Sequence, residues 1–459
     1  MSLNMKRYRY LIPISILFLW VLIYYWNHRI ISVNIWNWWE ITTNFYDIDN
    51  TINLFDTTQI HEIKILIAEE KYKDMIDTYV NTLEKEWYKA DIIIDGVSIY
   101  NVWIRLKWEY SLTQLWFINW LKEKDQWTIN YDLKLPLLVK FDKNINQTYQ
   151  WHEMISLRVG LAWPNETLLS EPYAFELYQL LWQPSPDTSY GSVQINWKDT
   201  KLFLISELPE DKYFLEKWFW NDNWILYKAW NFVNFVYLGE DPTLYSNYFT
   251  QKTRVNDYDF SPLIRMLKFI TESNNENFEQ EIDNYIDVKS VITLLAIDDF
   301  LWNNDSFGGM WSNYYLYYHL WNQKFYILTW DQNLALWIVL WGPLWFPAHK
   351  ASEVKAPISP NFTWWNMATR WWMWSNSYNA LKLRLLNNET FKAMYDDIYS
   401  EIEKIALESN FSENFFEKRS STLLNYSQKD QLISENNYLR WLTILKSYLN
   451  TYSNRKRRY

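Results

Sequence analysis

The segment Ile297–Trp337 reads IDDFLWNNDSFGGMWSNYYLYYHLWNQKFYILTWDQNLALW, and its pattern decides the fold. Apolar side chains at helical spacing occupy Val288–Leu301, and a polar loop that contains Asp305 follows. Two strand-like runs then lie within residues 313–330, and Asp331 comes directly after the second run. The pattern predicts a helix, a loop and a β-hairpin, with one carboxylate on each side of the hairpin.

Two carboxylates in this order suit phosphoryl transfer. One carboxylate, here Asp305, orients an attacking hydroxyl and accepts its proton, while the second, Asp331, coordinates the Mg²⁺ that bridges the nucleotide phosphates. The amide oxygen of Asn313 is close enough in sequence to complete the metal shell. Polar loops after helices often contain aspartate, so the spacing by itself leaves a purely structural role open.

The chain around this segment changes from strands to helices, which predicts an α+β fold with two lobes. We expect a globular domain at 59–450, with a strand-rich N-lobe at about 59–210 and a helical C-lobe at about 211–450. Asp95-Gly96 is a strong hairpin signal within the first lobe. The predicted strands include 62–67, 91–94, 97–107, 137–141 and 202–207, and the predicted helices include 69–86, 168–181, 258–273, 277–285 and 288–301.

The N-terminus has the pattern of a membrane anchor. Lys6, Arg7 and Arg9 precede an uncharged, mainly apolar run at residues 10–26. The leading basic residues predict a retained transmembrane helix within 1–29 and place the rest of the chain outside the cytoplasm. A buried core helix is the alternative. We interpret residues 30–58 as a tether and 451–459 as a basic, solvated tail.

Composition excludes several classes of function. The 459 residues carry 44 basic and 54 acidic side chains, and the net charge of −10 disfavours nucleic-acid binding. The chain has no cysteine, which excludes thiolate nucleophiles, disulfides and cysteine-ligated metals. Its five histidines are scattered, and there is no Walker loop, G-x-S-x-G or H-E-x-x-H motif.

Glycine and tryptophan usage is abnormal. The chain has 7 glycines and 32 tryptophans, whereas average usage of about 7% predicts roughly 32 glycines. Several tryptophans stand where turns call for glycine, as in Asn196-Trp197, Trp321-Asn322 and Asn223-Trp224. We hypothesise that many of them are glycines, written as tryptophan because the genome decodes UGA as glycine. A surface rich in genuine tryptophan that stacks on carbohydrate is the alternative.

Eight segments resemble the CotH kinases, the spore-coat-protein-H-like group of atypical protein kinases, once tryptophan is read as glycine. The similarity covers about residues 60 to 450 in the family's order. The segments are 103–111 (G-i-R-l-K-G-n-s-S), 137–142 (f-k-i-k-F-d), 149–151 (y-x-G), 170–177 (l-R-E-x-l-A-y-e-l), 204–207 (a strand ending in Glu), 224–228 (G-x-L-Y-K), 304–317 (N-x-D-s-…-N-Y-Y-L-Y) and 327–337 (i-l-x-W-D-x-N-x-a-l-G). The sequence departs from the family pattern at Glu109, Tyr110 and Ser170.

The resemblance implies a protein-kinase-like fold and a role for each matching side chain. Asp305 would be the catalytic carboxylate, and Asp331 and Asn313 would bind the metal. For nucleotide binding, the implied residues are Lys107, Lys140, Glu171 and Glu207. Lys140 would contact the phosphates and be held by Glu171, as in kinase Lys–Glu pairs. A surface salt bridge for that pair and a solvated Lys107 remain alternatives.

The leading functional hypothesis is an ATP- and Mg²⁺-dependent protein kinase. It would phosphorylate Ser or Thr of a surface or secreted protein, while residues 10–26 hold it in the membrane. Trp108 bears on this hypothesis, because an indole there would keep the loop backbone away from phosphate. The alternative is a non-catalytic, pseudokinase-like envelope or adhesion protein on the same fold.

Overall fold

The computed structural model describes residues 45–107, 112, 115, 131–160, 167–220, 223–230, 234–303, 305–309, 313–336, 379–430, 439, 442, 443 and 446. The predicted anchor at 10–26, the basic tail and Trp108 lie outside these residues. Across the described ranges, no helix is long and apolar enough to cross a membrane. From Phe45 onward the chain forms one compact unit.

The unit combines many short strands with helices concentrated in its second half, which confirms the predicted α+β class. Within the described residues, the strands are β1 Tyr46–Ile48, β2 Ile60–Leu66, β3 Tyr88–Ile94, β4 Val97–Leu106, β5 Leu137–Lys140, β6 Gln147–Tyr149, β7 Met154–Arg158, β8 Thr188–Ile195, β9 Lys201–Ser206, β10 Trp224–Ala229, β11 Phe249–Gln251, β12 Tyr314–His319 and β13 Lys324–Thr329. The helices are α1 Glu69–Thr82, α2 Ser170–Leu180, α3 Lys212–Phe219, α4 Ser261–Glu272, α5 Asn275–Glu281, α6 Val288–Leu301, α7 Ala380–Leu386, α8 Glu389–Glu403 and α9 Phe411–Asp430.

Seven strands close into a barrel in the order β2-β3-β4-β5-β7-β9-β8. Closure depends on β2 and β8, which pair in parallel with Ile63 opposite Val193. Alternate side chains of each strand point inward, so Ile63, Ile104 and Leu157 fill the barrel interior. The remaining side chains of these strands point to the outer face of the barrel, where they can line a cleft.

A four-stranded sheet in the order β11-β10-β12-β13 lies against that outer face. One side of this sheet joins the helical core, which includes Ile225 and Leu316. The other side packs against the barrel: Leu226 and Leu328 from the sheet form one buried cluster with Leu138 from β5. The site residues described below lie at the edge of this contact between barrel and sheet.

Part of the predicted tether is folded, which corrects the boundary at residue 58. Strand β1 pairs with β6 through Tyr46 and Gln147, and Leu54 is completely buried. The segment lacks a hydrophobic period because its asparagine and aspartate side chains form local turns, as when the Ile52 amide donates to Asn50 Oδ1 (3.2 Å). The globular unit therefore begins near Phe45.

Five described tryptophans adopt the left-handed backbone that favours glycine. They are Trp151, Trp182, Trp197, Trp220 and Trp302, with φ between 53° and 70°. Three of them are strongly exposed, at 85% for Trp182, 79% for Trp220 and 68% for Trp197. These conformations agree with the hypothesis that glycine stands at such positions. That the genome decodes UGA as glycine stays a prediction.

Trp224 does not follow the pattern of tryptophans at turns. It was grouped with the turn tryptophans, yet it is the first residue of β10 and is 6% exposed. It packs with Leu215 and Tyr317 in the cluster between the barrel and the sheet. The dipeptide Asn223-Trp224 resembles an Asn-Gly turn in sequence, but the side chain of Trp224 is part of the core.

Candidate active site

Asp305, Asn313 and Asp331 come together, as the pattern around the hairpin predicts. Asn313 immediately precedes β12, and Asp331 follows β13 after Trp330. The side chain of Asn313 hydrogen-bonds to the carboxyl of Asp305, and Asp331 is close enough for its charge to affect Asp305. Asp331 has a left-handed backbone, with φ of 54° and ψ of 57°, which turns the chain sharply after the strand.

The loop that carries Asp305 is fixed to the segment that carries Asp331. The backbone amide of Asp305 donates to Asn303 Oδ1 (2.9 Å), and Asn303 Nδ2 donates to Gln332 Oε1 (2.6 Å). Gln332 Nε2 in turn donates to Thr329 Oγ1 (2.6 Å). Because Asn303 and Gln332 are buried, these bonds hold the two carboxylates in a constant relationship.

Asp305 has the electrostatics of a group that accepts a proton. Burial and, to a smaller extent, the negative charge of Asp331 raise its pKa to about 8, although the hydrogen bond from Asn313 works in the opposite direction. A cation beside Asp331 would remove part of this repulsion. The pair can therefore divide its work, with one carboxyl handling a proton and the other holding a metal.

The oxygen donors in this cluster fit Mg²⁺. Asp331 supplies one carboxylate and Asn313 one amide oxygen, and Mg²⁺ usually takes only one or two protein carboxylates while water and phosphate oxygens complete its shell. Among the described residues there is no group of three or more His, Asp and Glu side chains that would form an all-protein metal site. The set suits a metal that arrives with a phosphorylated ligand.

Arg158 is a central member of the site that sequence reasoning missed. It ends β7 on the outer face of the barrel, and its side chain is 5% exposed. Its Nη1 forms an ion pair with Glu171 Oε1 of α2 at 2.7 Å, and its Nη2 bonds to Asp331 Oδ1. One guanidinium thus connects the barrel, helix α2 and the candidate metal ligand. An arginine at the end of an otherwise apolar strand was the only available signal.

The predicted Lys140–Glu171 pair is wrong. Lys140 Nζ instead lies 3.2 Å from Asp142 Oδ1, while Glu171 pairs with Arg158. The register explains the difference, because Lys140 is opposite Met154 and Arg158 lies four residues further along β7, about 13 Å away. Lys140 and Arg158 both lie on the outer barrel face, and either could have been the partner of Glu171 on sequence grounds. Only the strand register shows that the partner is Arg158.

Lys107 lies next to Arg158. Its backbone amide donates to the carbonyl of Pro136 (3.1 Å), and its amine lies 4.9 Å from the ring centre of Trp330. The guanidinium of Arg158 lies 5.2 Å from the same ring. Burial lowers the pKa of Lys107 well below its usual value, and neighbouring cations lower it further while Glu210 opposes them. Its predicted contact with phosphate stays a prediction.

Glu207 occupies a separate network at the end of β9. Its Oε2 accepts a hydrogen bond from Lys217 Nζ (2.7 Å) and another from the backbone amide of Asp187 (2.8 Å). Burial raises the pKa of Glu207, and the charge of Lys217 works in the opposite direction. These contacts hold the segment that joins the barrel to α3. The predicted role of Glu207 in lining the nucleotide pocket stays a prediction.

Comparison with known proteins identifies the family. The family model "CotH kinase protein" matches residues 123–458. The matched region includes both aspartates, Asn313, Arg158 and Glu171. Lys107 precedes the matched region, so its assignment depends on its contacts alone. A search of curated proteins finds no match. Because the family match spans well over half of the 459 residues, the chain belongs to the CotH kinase family and is a kinase-like protein.

Proposed function

We propose that the chain is an atypical protein kinase that transfers the γ-phosphoryl group of ATP to a Ser or Thr hydroxyl. The observation that carries the proposal is the convergence of Asp305, Asn313 and Asp331 between two hydrogen-bonded loops. Arg158 and Glu171 add a cation held by a carboxylate, which is the arrangement that kinases use to position nucleotide phosphates. Membership of the CotH family is consistent with this chemistry.

The residues divide the reaction between them. The hydroxyl oxygen of the acceptor Ser or Thr forms a bond to the γ-phosphorus while the bond between the γ-phosphorus and the leaving ADP oxygen breaks. Asp305 accepts the proton of that hydroxyl. Asp331 and Asn313 would hold Mg²⁺, which would supply positive charge against the phosphates. Arg158 and Lys107 provide fixed positive charge from the barrel side, and Trp330 packs against both. Glu171 keeps the guanidinium of Arg158 oriented.

The same proposal extends to architecture and location. The barrel with α2 corresponds to the N-lobe of a two-lobed kinase, and the sheet with helices α4 to α9 corresponds to its C-lobe. We place the kinase domain outside the cytoplasm, held by the anchor predicted at residues 10–26, and its acceptor on a surface or secreted protein. The basic residues before that segment support this orientation.

Transfer of radiolabelled phosphate tests the activity. The full chain is incubated with labelled ATP, Mg²⁺ and acceptor proteins extracted from the surface of its native source, beside Asp305→Ala and Asp331→Ala. Asp397→Ala is the matched control, because Asp397 is an exposed aspartate of α8. We expect labelling by wild type and Asp397→Ala only. Equal labelling by wild type and Asp305→Ala would refute the assignment.

A non-catalytic role on the same fold is the second candidate. It is favoured by the contact between Arg158 and Asp331, since a guanidinium on that carboxylate competes with a metal ion. Calorimetry with MgATP separates the two candidates. Binding that disappears in Asp331→Ala supports the kinase, whereas no heat from the wild-type protein supports a scaffold.

A further inference from the structure

Lys228, on the sheet side of the cleft, is a half-buried cation of β10. It belongs to β10 and faces the barrel, as Leu226 does two residues earlier. Among the described residues, the strongest contacts of its amine are with two aromatic rings, Trp230 at 4.5 Å and Tyr315 at 5.6 Å from the ring centres. No hydrogen bond or ion pair to a described acceptor satisfies it. An amine so placed loses part of its hydration, and no hydrogen bond to a described residue replaces it.

Other cations surround Lys228, and one carboxylate lies among them. Glu210 accepts a hydrogen bond from Tyr315 Oη (2.7 Å) and lies 3.7 Å from Lys252 Nζ. Burial alone would raise the pKa of Glu210, but the charges of Lys252, Lys107 and Lys228 outweigh burial and hold the pKa at about 2. Glu210 is therefore ionised and already shared by three lysines.

Burial lowers the pKa of Lys228 to about 8. Glu210 and Asp331 oppose this shift, whereas Lys252 and Lys85 add to it. Lys228, Lys252 and Lys107 thus all act on the one carboxylate of Glu210. An anion that enters the cleft would relieve both the desolvation of Lys228 and the repulsion among the lysines.

The register places Lys228 beside the candidate metal site. Lys228 is opposite Tyr315 on β12, and Tyr315 is opposite Leu328 on β13. Two strand spacings, about 10 Å, therefore separate Lys228 from β13, the strand that Asp331 follows. Arg158 contacts Asp331 from the barrel, and Lys107 of the barrel is close enough to Lys228 for the two charges to interact.

We infer that Lys228 binds a phosphate group of the nucleotide from the sheet side, while Lys252 and Glu210 position its side chain. The inference rests on the proposed kinase function, and it gives Lys228 the phosphate contact that the sequence had assigned to Lys140. Lys140 is already paired with Asp142. Lys228 forms no such ion pair among the described residues and shares the charge of Glu210 with two other lysines, which leaves its own charge available to a ligand.

Calorimetry on the full chain with three ligands tests this assignment. MgATP, inorganic tripolyphosphate with Mg²⁺, and adenosine are titrated into wild type, Lys228→Met and the matched control Lys140→Met. We expect Lys228→Met to weaken MgATP and tripolyphosphate binding by about 10- to 100-fold, and to leave adenosine binding unchanged. Lys140→Met should bind all three ligands as wild type does.

A second measurement needs no variant and covers the case in which Lys228→Met does not fold. The wild-type protein is treated with a limiting amount of an amine-acetylating reagent, and modified lysines are identified by mass spectrometry. MgATP and tripolyphosphate should protect Lys228, whereas adenosine should not. Modification of Lys140 should be the same with and without each ligand.

The outcomes separate this inference from the kinase proposal. Unchanged tripolyphosphate affinity in Lys228→Met, an equal loss in Lys140→Met, or modification of Lys228 that MgATP does not reduce would each overturn it. Absence of binding by wild type to both phosphorylated ligands would overturn it as well. If Lys228-dependent ATP binding occurs without phosphate transfer, the kinase proposal fails and the phosphate site stands.

Discussion

The carboxyl of Asp305 occupies a position where its ionised form is unfavourable. Burial and the charge of Asp331 raise its pKa from 3.8 to about 8. Because the folded state keeps a proton that the unfolded chain releases, the free energy of unfolding falls as the pH rises from 3.8 to about 8. A side chain suited to proton transfer is in this way a source of instability in the metal-free protein.

Replacing Asp305 by Asn should separate activity from stability. We expect Asp305→Asn to abolish phosphate transfer and to increase the metal-free free energy of unfolding by roughly 2 kcal/mol at pH 7.5, with little gain at pH 4. Urea denaturation at both pH values measures the difference. Asp397→Asn is the control and should change stability at neither pH. A gain of equal size at pH 4 and pH 7.5 would show that ionisation is not the cause.

Arg158 should contribute strongly to stability because it compensates two buried carboxylates. We expect Arg158→Met to lower the free energy of unfolding by roughly 3 kcal/mol, since Glu171 is then left buried without its cation. Lys140→Met removes a partly exposed ion pair and should cost less than about 1 kcal/mol. Chemical denaturation compares the two variants. Equal losses would mean that the Arg158 network is no stronger than a surface pair.

The two carboxylates were predictable from sequence, whereas the arginine was not. Asp305 and Asp331 flank a hairpin whose strands the apolar runs mark residue by residue. Arg158 reaches Asp331 from a strand that ends 173 positions earlier in the chain, and no spacing rule spans that separation. Lys140 took its place in the prediction because local sequence does not reveal which strands are neighbours or in what register they pair.

At the scale of elements, helices α7 and α8 hold the loop that carries Asp305. Lys382 Nζ donates to the Gly308 carbonyl (2.7 Å) and to Asp299 Oδ1 (3.0 Å), and Tyr395 Oη donates to Asp299 Oδ2 (2.8 Å). The other side of the loop is fixed by the Gly308 amide, which donates to Asp298 Oδ2 (3.0 Å). The loop is thus tied to its own helix and to the C-terminal helices.

Removing the Lys382 contacts should affect chemistry more than nucleotide binding. We expect Lys382→Met to lower kcat for phosphate transfer by about tenfold or more, because misplacing Asp305 costs orientation, and to leave MgATP affinity unchanged. Lys392→Met is the matched control on α8, where Lys392 pairs with the exposed Asp396. A change in MgATP affinity without a change in kcat would contradict this positioning role.

Trp220 caps α3 in a left-handed conformation with 79% of its surface exposed. An L-residue pays roughly 1–2 kcal/mol for that conformation, so Trp220→Gly should increase the free energy of unfolding by roughly 1 kcal/mol. Trp321 is equally exposed, at 86%, but is not among the described residues with positive φ. Trp321→Gly is therefore the control and should give no gain in chemical denaturation.

Peptide mass spectrometry of the protein from its native source tests the decoding hypothesis directly. We expect glycine at 220 and at the other left-handed tryptophan positions. Trp330 provides an internal contrast, because it is 1% exposed and packs against Lys107 and Arg158. We expect tryptophan there. Tryptophan at position 220 in the native protein would refute the hypothesis for that site.

At the scale of the whole molecule, the α+β class was predictable and the closed barrel was not. Period-two runs located β2, β4 and β9 to within a few residues. Barrel closure depends on the parallel pairing of β2 with β8, which leaves no local signal in either strand. Strand β7 was also missed, because all five of its residues are buried and no alternation remains.

The boundary of the folded unit gives a prediction at the same scale. A chain that begins at residue 45 should keep the stability of the whole unit, whereas one that begins at 59 loses β1 and the completely buried Leu54. We expect the shorter chain to be less stable by roughly 3 kcal/mol or more in urea. Equal stability of the two chains would restore residues 45–58 to the role of a tether.

The pairing of β2 with β8 also sets an order of events during synthesis. About 120 residues separate the end of β2 from the start of β8, and ribosomes add about 5–20 residues per second. For roughly 6–24 seconds after β2 is made, one edge of it lacks its final neighbour, and unpaired edges are sites of aggregation. The edge of β2 that pairs with β8 is therefore open to pairing with other chains until β8 has emerged.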